Sequence, residues 1–350
     1  MKKQKTICFV AGRSGGHIIP ALTLAKKIVE KDQHTNVIFF STNSPIDKKI
    51  LKNNTEIKKH IELSLKNVPY KNVLHYPSFL ANASYAIIKS LFALIKHRPE
   101  KIISMGGYIS IPVCMCAFLL RIPIELFELN AVPGKTVTFL APLATKIHVC
   151  FKEAISHLPE KKCQLSEYPI RYSKQQTTQA KPDTHKKHGL LPDKYTILVL
   201  GGSQGSVYIN NVIKKLINTS DNLHKKIQMI HQTGTNDKTN WEAFYKKNNI
   251  SALSFEFKND IKQHYQLADM VICRSGAGTL FETVFFNKKC ITIPLDTKTT
   301  SHQIDNAKSM EKIYPNLVKM IQEKDLEKST YLLKKEINKH IKPLSKDFQF

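Results

Sequence analysis

The chain has 350 residues, 42% of them hydrophobic, which is more than one typical core needs and enough to bury two. Lys and Arg number 53 against 28 Asp and Glu, a net charge of +25, yet only Arg13, Arg98, Arg121, Arg171 and Arg274 are arginine. Sequence-reading nucleic-acid proteins favour the bidentate guanidinium, so a lysine excess spread from end to end argues against a nucleic-acid partner; it fits anionic surfaces in general, or a compositional habit.

The start, Met1-Lys2-Lys3-Gln4-Lys5, imitates a signal peptide, but the apolar run after it is short and meets Gly12-Arg13, so a first strand is expected instead. Strands are expected at Ile7–Val10 and Val37–Ser41 around a helix at Pro20–Glu30, then at Lys101–Met105 and Ile122–Phe127, the βαβ rhythm of a parallel sheet. The apolar run Ile109 to Ile124 is interrupted by Pro112, Arg121 and Pro123 and is too broken to cross a bilayer. A polar, weakly patterned stretch from Tyr172 to Lys194 reads as a linker. The rhythm then repeats, with strands at Ile197–Leu200, Ile227–His231, Met270–Cys273 and Cys290–Ile293 and a lysine-rich helical tail. Cys8, Cys114, Cys116, Cys150, Cys163, Cys273 and Cys290, mostly in apolar runs without C-x-x-C spacing, read as reduced core residues of a cytosolic protein.

The first strand of each half runs into glycine: Gly12-Arg13-Ser14-Gly15-Gly16-His17, and Gly201-Gly202-Ser203-Gln204-Gly205. Such turns let backbone approach a ligand while the next helix offers N–H groups to an anion, which predicts a phosphorylated ligand. Neither loop matches G-x-G-x-x-G or the P-loop, and Phe39-Phe40-Ser41-Thr42-Asn43 lacks the acid that grips a nicotinamide-cofactor ribose. A third turn, Arg274-Ser275-Gly276-Ala277-Gly278-Thr279, leads to Glu282. Thr279-x-x-Glu282 reads either as a capping box or as backbone facing a diphosphate with Glu282 on a ribose. His302, Gln303 and Asn306 share one helix face, which is either simply solvated or turned to a ligand. His17, at a helix start whose dipole disfavours the imidazolium, reads either as structural or as a proton acceptor. Met105-Gly106-Gly107-Tyr108 and Glu128-Leu129-Asn130 also follow strands of the first sheet.

In this order the motifs resemble the MurG-type N-acetylglucosaminyltransferases of peptidoglycan synthesis over nearly the whole chain, with Pro169-x-Arg171, His231-Gln232-x-Gly234 and His302-Gln303-x-x-Asn306-Ala307 completing the series. The resemblance implies an α/β GT-B fold: two Rossmann-like domains with parallel sheets facing a central cleft. Residues 1–172 would take the acceptor and face the membrane, 173–194 would link, 195–330 would bind UDP-GlcNAc, and a helix at about 331–350 would pack back on the first domain. It implies Arg171 and Ser203 near the diphosphate, the backbone at Lys258 near the uracil, Ala277, Gly278 and Thr279 along the phosphates, Glu282 on the ribose and Gln303 on the sugar. Asn210 matches a further polar site position. Ser14, Gly15, Gly16, His17, Tyr108, Glu128 and Asn130 would form the acceptor side and reaction centre, with His17 the candidate base. The implied reaction is inverting transfer of GlcNAc to the 4-hydroxyl of the MurNAc of lipid I, without cofactor or metal. The chain contains no D-x-D, the usual means of holding an ion on a sugar-nucleotide diphosphate.

The segment Pro77 to Lys96 sets apolar and aromatic residues beside lysines and reads either as a core helix or as an interfacial one. With lipid I as substrate, the resemblance implies a peripheral protein on the anionic cytoplasmic face of the bacterial inner membrane. The chain departs from the family at Arg13, Phe127, Leu129, Glu167 and Tyr168. Another glycolipid transferase of the same fold and a UDP-sugar-binding scaffold are the alternatives.

Overall fold

Runs such as Val37-Ile38-Phe39-Phe40 and Ile197-Leu198-Val199-Leu200 are apolar at every position, as strands covered on both faces of a parallel sheet require. The computed structural model describes residues 5–52, 54–65, 76–202, 204–220, 222–297 and 302–341. It divides into two units, Met1–Arg171 and Tyr172–Phe350.

The first unit alternates β1 (Lys5–Val10), α1 (Gly15–Lys31), β2 (Thr35–Thr42), α2 (Pro45–Leu51), β3 (Ile57–Leu63), α3 (Tyr76–His97), β4 (Lys101–Ser104) and α4 (Ser110–Leu119). It continues with β5 (Ile124–Glu128), α5 (Lys135–Leu140), β6 (Lys146–Val149) and β7 (Cys163–Leu165). All pairings are parallel, in the order β3-β2-β1-β4-β5-β6-β7. The order reverses between β1 and β4, and a doubly wound sheet opens its ligand crevice at the carboxyl ends of such strands. Helix α1 begins at Gly15, earlier than expected, with Pro20 inside it. Pro20 is the sixth residue of the helix, just past its first turn, so it removes one i→i−4 hydrogen bond near the helix start. Strand β5 begins at Ile124 rather than Ile122, because Arg121 takes φ 56 and turns the chain.

The second unit opens with α6 (Pro182–Lys187), β8 (Tyr195–Leu200), α7 (Val207–Asn218), α8 (Leu223–Lys226), β9 (Ile227–Gln232), α9 (Trp241–Lys247) and β10 (Ala252–Phe255). It ends with α10 (Lys262–Leu267), β11 (Met270–Cys273), α11 (Ala277–Phe285), β12 (Lys289–Thr292), α12 (His302–Ile313), β13 (Val318–Met320), α13 (Glu323–Glu327) and α14 (Tyr331–His340). Its sheet is again all parallel, in the order β10-β9-β8-β11-β12-β13, with the reversal between β8 and β11. Each unit is thus Rossmann-like with its own core, around Val10, Phe40, Ile102 and Leu126 in the first and Ile197, Ile213, Met270 and Ile272 in the second.

Within the segment expected to link the halves, α6 forms and the Gln228 amide accepts from the Leu191 N–H (2.7 Å) and donates to the Leu191 carbonyl (2.8 Å). The tail begins as α14, whose Leu333 and Ile337 join the second unit's core; residues 342–350 lie outside the described ones. All seven cysteines are free, and only Cys163 is not buried.

Candidate active site

In the first unit the glycine loop after β1 and the Gly106-Gly107-Tyr108 turn after β4 flank the point where the strand order reverses. Ser14 stands at the N-cap of α1 with extended backbone, its side chain caps nothing, and the first turn carries no acidic residue. The start of α1 therefore keeps its positive end. Gly15 is buried, Gly16 exposed and His17 half-buried. Gly107 takes φ +76, a conformation that favours glycine, and lies beside the His17 imidazole, whose Nδ1 would be 3.5 Å from a Cβ built there. The Arg13 guanidinium sits 5.0 Å from the centre of the Tyr108 ring, and the Tyr108 hydroxyl donates to the Leu65 carbonyl at 3.2 Å. Partial burial raises the Tyr108 pKa above its ordinary value and the nearby Arg13 cation opposes that rise.

Glu128 ends β5 and is only 2% exposed. Its carboxylate accepts from the Asn130 N–H (2.9 Å), the Asn130 Nδ2 (3.1 Å) and the Gly134 N–H (2.9 Å). Burial raises its pKa, and these hydrogen bonds pull the other way. These bonds tie Glu128 to the loop that presents half-buried Asn130. Phe127, one of the family departures, stacks on His148 at 4.2 Å between centroids. Arg171, half-buried, closes the first unit.

The second unit repeats the arrangement. Ser206 caps α7 by accepting from the Ile209 N–H at 3.3 Å. Gly205 takes φ +77 and meets Gly234 so closely that a Cβ would lie 2.5 Å from the Gly234 Cα. Ser203 lies outside the described residues. Gly201, Gly202, Gly205, Arg274, Thr279 and Gln303 line a cavity of about 400 Å³. Helix α11 starts at Ala277 behind Gly276 and has no side-chain cap, so Thr279 lies in its first turn and the capping-box reading of Thr279 and Glu282 does not hold. The N–H groups of Ala277, Gly278 and Thr279 are the helix's unfilled donors beside this cavity. Glu282 is buried one turn further along, and Gln303, half-buried at the start of α12, accepts from the Leu295 N–H at 3.1 Å.

Two expected positions lie elsewhere. Asn210 is fully buried, with Nδ2 donating to the Thr233 carbonyl (2.9 Å) and to Asp237 (2.7 Å) and Oδ1 accepting from His231 Nε2 (3.0 Å). Both ends of its amide are used, so it braces the loop after β9 instead of facing the cavity. Lys258 is exposed and lines a separate depression with Gln176, Lys262, His264 and Gln266. Burial holds His264 down to about 4.

The sequence reading missed the partners of these loops. Arg274 is tied to Glu323 (2.7 Å), to Ser206 Oγ (3.1 Å) and to the Ile293 carbonyl (3.1 Å). Glu323, far along the chain, gives no local signal. Asp47, fully buried, binds the first glycine loop, and the Ser44-x-x-Asp47 spacing before α2 was its available sign.

Helix α3 buries only Ala86, Ser90 and Leu94. Its opposite face shows Ile88 (53% exposed), Phe92 (70%) and Ile95 at i, i+4 and i+7, and α4 adds Phe118 and Leu119 (74%). The helix is long and apolar enough to cross a membrane by length and composition. One side of the helix thus joins the first unit's core through Ala86 and Leu94, while the other stays exposed.

The pattern of the glycosyltransferase family 28 N-terminal domain matches residues 7–149, and that of the family 28 C-terminal domain matches residues 196–349. A UDP-N-acetylglucosamine--N-acetylmuramyl-(pentapeptide) pyrophosphoryl-undecaprenol N-acetylglucosamine transferase of Myxococcus xanthus is 31% identical over 87% of this chain and 77% of its own. Its namesake from Syntrophus aciditrophicus is 30% identical over 91% and 86%. The crystal structure of Acinetobacter baumannii MurG shares the fold, with a TM-score of 0.71 at 22% identity over 97% of this chain and 91% of that one. The UDP-GlcNAc 2-epimerase of Neisseria meningitidis, bound to UDP-GlcNAc, matches at a TM-score of 0.61, with 10% identity over 96% and 93%. The two family patterns, together spanning most of the chain, and relatives at 30–31% identity place the chain in glycosyltransferase family 28, among the MurG-type transferases.

Proposed function

We propose that this chain transfers N-acetylglucosamine from UDP-N-acetylglucosamine to the 4-hydroxyl of the muramoyl sugar of lipid I, inverting the anomeric centre and using no metal ion. The observation that carries this reading is the uncapped start of α11, beside a cavity of about 400 Å³, in a chain whose relatives are named for that transfer. The first unit takes the acceptor, with Ser14, Gly15, Gly16, Tyr108 and Asn130 around it and Glu128 shaping the Asn130 loop. The second takes the donor, with Glu282 on the ribose and Gln303 on the sugar.

In the reaction the acceptor oxygen forms a bond to the anomeric carbon as the bond to the diphosphate breaks. The His17 imidazole takes the hydroxyl proton, and UDP leaves with the electron pair. Charge growing on UDP is met by the N–H groups of Ala277, Gly278 and Thr279, by the helix dipole behind them and by Arg171. The sequence holds no D-x-D, so backbone N–H groups, a helix dipole and arginine are the groups available to meet that charge. The apolar face of α3 and α4, with Lys89 and Lys96 on the same helix, suits a peripheral seat on the anionic cytoplasmic surface of the inner membrane.

Purified protein with UDP-GlcNAc, a lipid I analogue and a chelator is expected to turn over. Complete dependence on a divalent ion would contradict the mechanism. Turnover only with a different lipid acceptor would reassign the substrate, and donor binding without turnover on any acceptor would make the chain a scaffold.

A further inference from the structure

We propose that Asp47 is a positioning residue for the reaction, acting through the backbone of Arg13 on the loop that carries His17; this rests on that loop being the reaction centre. Asp47 stands in the first turn of α2 and is fully buried. The Arg13 N–H donates to both its oxygens, Oδ1 at 2.9 Å and Oδ2 at 3.0 Å. Oδ2 also accepts from the Thr42 N–H (3.0 Å) and hydroxyl (2.6 Å), and Oδ1 from the Ser44 hydroxyl (2.7 Å). One carboxylate thus ties the glycine loop after β1 to the end of β2.

What it holds is a conformation the chain would otherwise avoid. Arg13 takes φ +71, a left-handed backbone that a residue with a Cβ adopts only at an energetic cost. From this turn the chain enters α1, setting His17 against Gly107, while the Arg13 guanidinium reaches the Tyr108 ring. Without the carboxylate, Arg13 relaxes toward negative φ and the entry into α1 turns with it. The placement of His17 and Tyr108 then loosens together. The donor loops stand in the other unit and make none of these bonds.

The test is a double-mutant cycle on the full chain, with steady-state kinetics on UDP-GlcNAc and a lipid I analogue, UDP affinity by calorimetry and a thermal melt of each variant. Asp47→Asn is expected to lower kcat about 10- to 100-fold, the scale of a reacting group misplaced by about 1 Å, with UDP affinity changed less than about twofold. In the Arg13→Gly background the same substitution should cost less than about threefold, because glycine takes positive φ unaided. Full kcat in Asp47→Asn, the same loss in both backgrounds, or a parallel loss of UDP affinity overturns the proposal. Should Asp47→Asn not fold, Ser44→Ala removes one donor to Oδ1 and is expected to lower kcat about threefold, again relieved by Arg13→Gly; a loss that Arg13→Gly leaves untouched overturns the proposal. His17→Ala measured in parallel separates the two ideas. Full turnover in that variant overturns the loop as reaction centre, whereas a slow His17→Ala beside a fast Asp47→Asn overturns only the role of Asp47.

Discussion

Replacing Ile88 and Phe92 together by serine tests whether the outer face of α3 seats the protein on a membrane. The two side chains are 53% and 70% exposed, so the substitutions remove apolar surface that the folded chain itself does not bury. Complete burial of such a side chain contributes about 1.5–3 kcal/mol; scaled by exposure, Phe92 supplies roughly 1.7 and Ile88 roughly 1.2 kcal/mol to an interfacial seat. The sum, about 3 kcal/mol, is about 100-fold in partition coefficient. Co-sedimentation with vesicles of phosphatidylglycerol and phosphatidylethanolamine measures it directly. The melting temperature should hold, because the buried side of the helix, Ala86, Ser90 and Leu94, is untouched. Vesicle binding within about threefold of the parent, in a variant that melts normally, would refute the reasoning, since about 0.7 kcal/mol is then all the face contributes.

Glu282→Ala should weaken UDP binding about 10- to 100-fold by calorimetry, the value of a hydrogen bond to a charged group, and unchanged affinity would remove Glu282 from the ribose. Gly205→Ala sets a Cβ 2.5 Å from the Gly234 Cα at φ +77, so the chain should lose about 2 kcal/mol or more and melt several degrees lower; an unchanged melting temperature would show that the turn yields. Burial holds His231 at about 3 against an ordinary 6.5, so on acidification the unfolded chain takes up the proton first. The stability this group confers is complete above pH 6.5 and is lost as pH falls toward 3, at about 1.4 kcal/mol per unit. His231→Gln should flatten the fall of melting temperature between pH 6.5 and 4, and an unchanged slope would place the loss elsewhere.

Strands β1, β2, β8 and β11 were legible because each is a continuous apolar run ending in a turn, a pattern set by neighbours in sequence. Short strands such as β7 and β13, three residues each, carry too little pattern and exist because a neighbouring strand offers its edge. Glycine turns marked both crevices, since only close backbone approach or positive φ calls for glycine there. The same letters misled at Thr279-x-x-Glu282, where the spacing of a capping box falls inside α11. At Asn210 a polar residue after a glycine loop looked like a ligand contact and turned out to brace the fold beneath it.

The sequence by itself determined the class of fold and the repeated strand–glycine turn–helix device, because those follow from periodicity and glycine along short stretches. Only the tertiary structure decided which of those residues face open space. It paired Asp47 with Arg13 across 34 positions and Arg274 with Glu323 across 49, and turned the apolar side of α3 outward. Partnership at such separations is fixed by how strands order themselves in the sheet, which no local run of residues encodes.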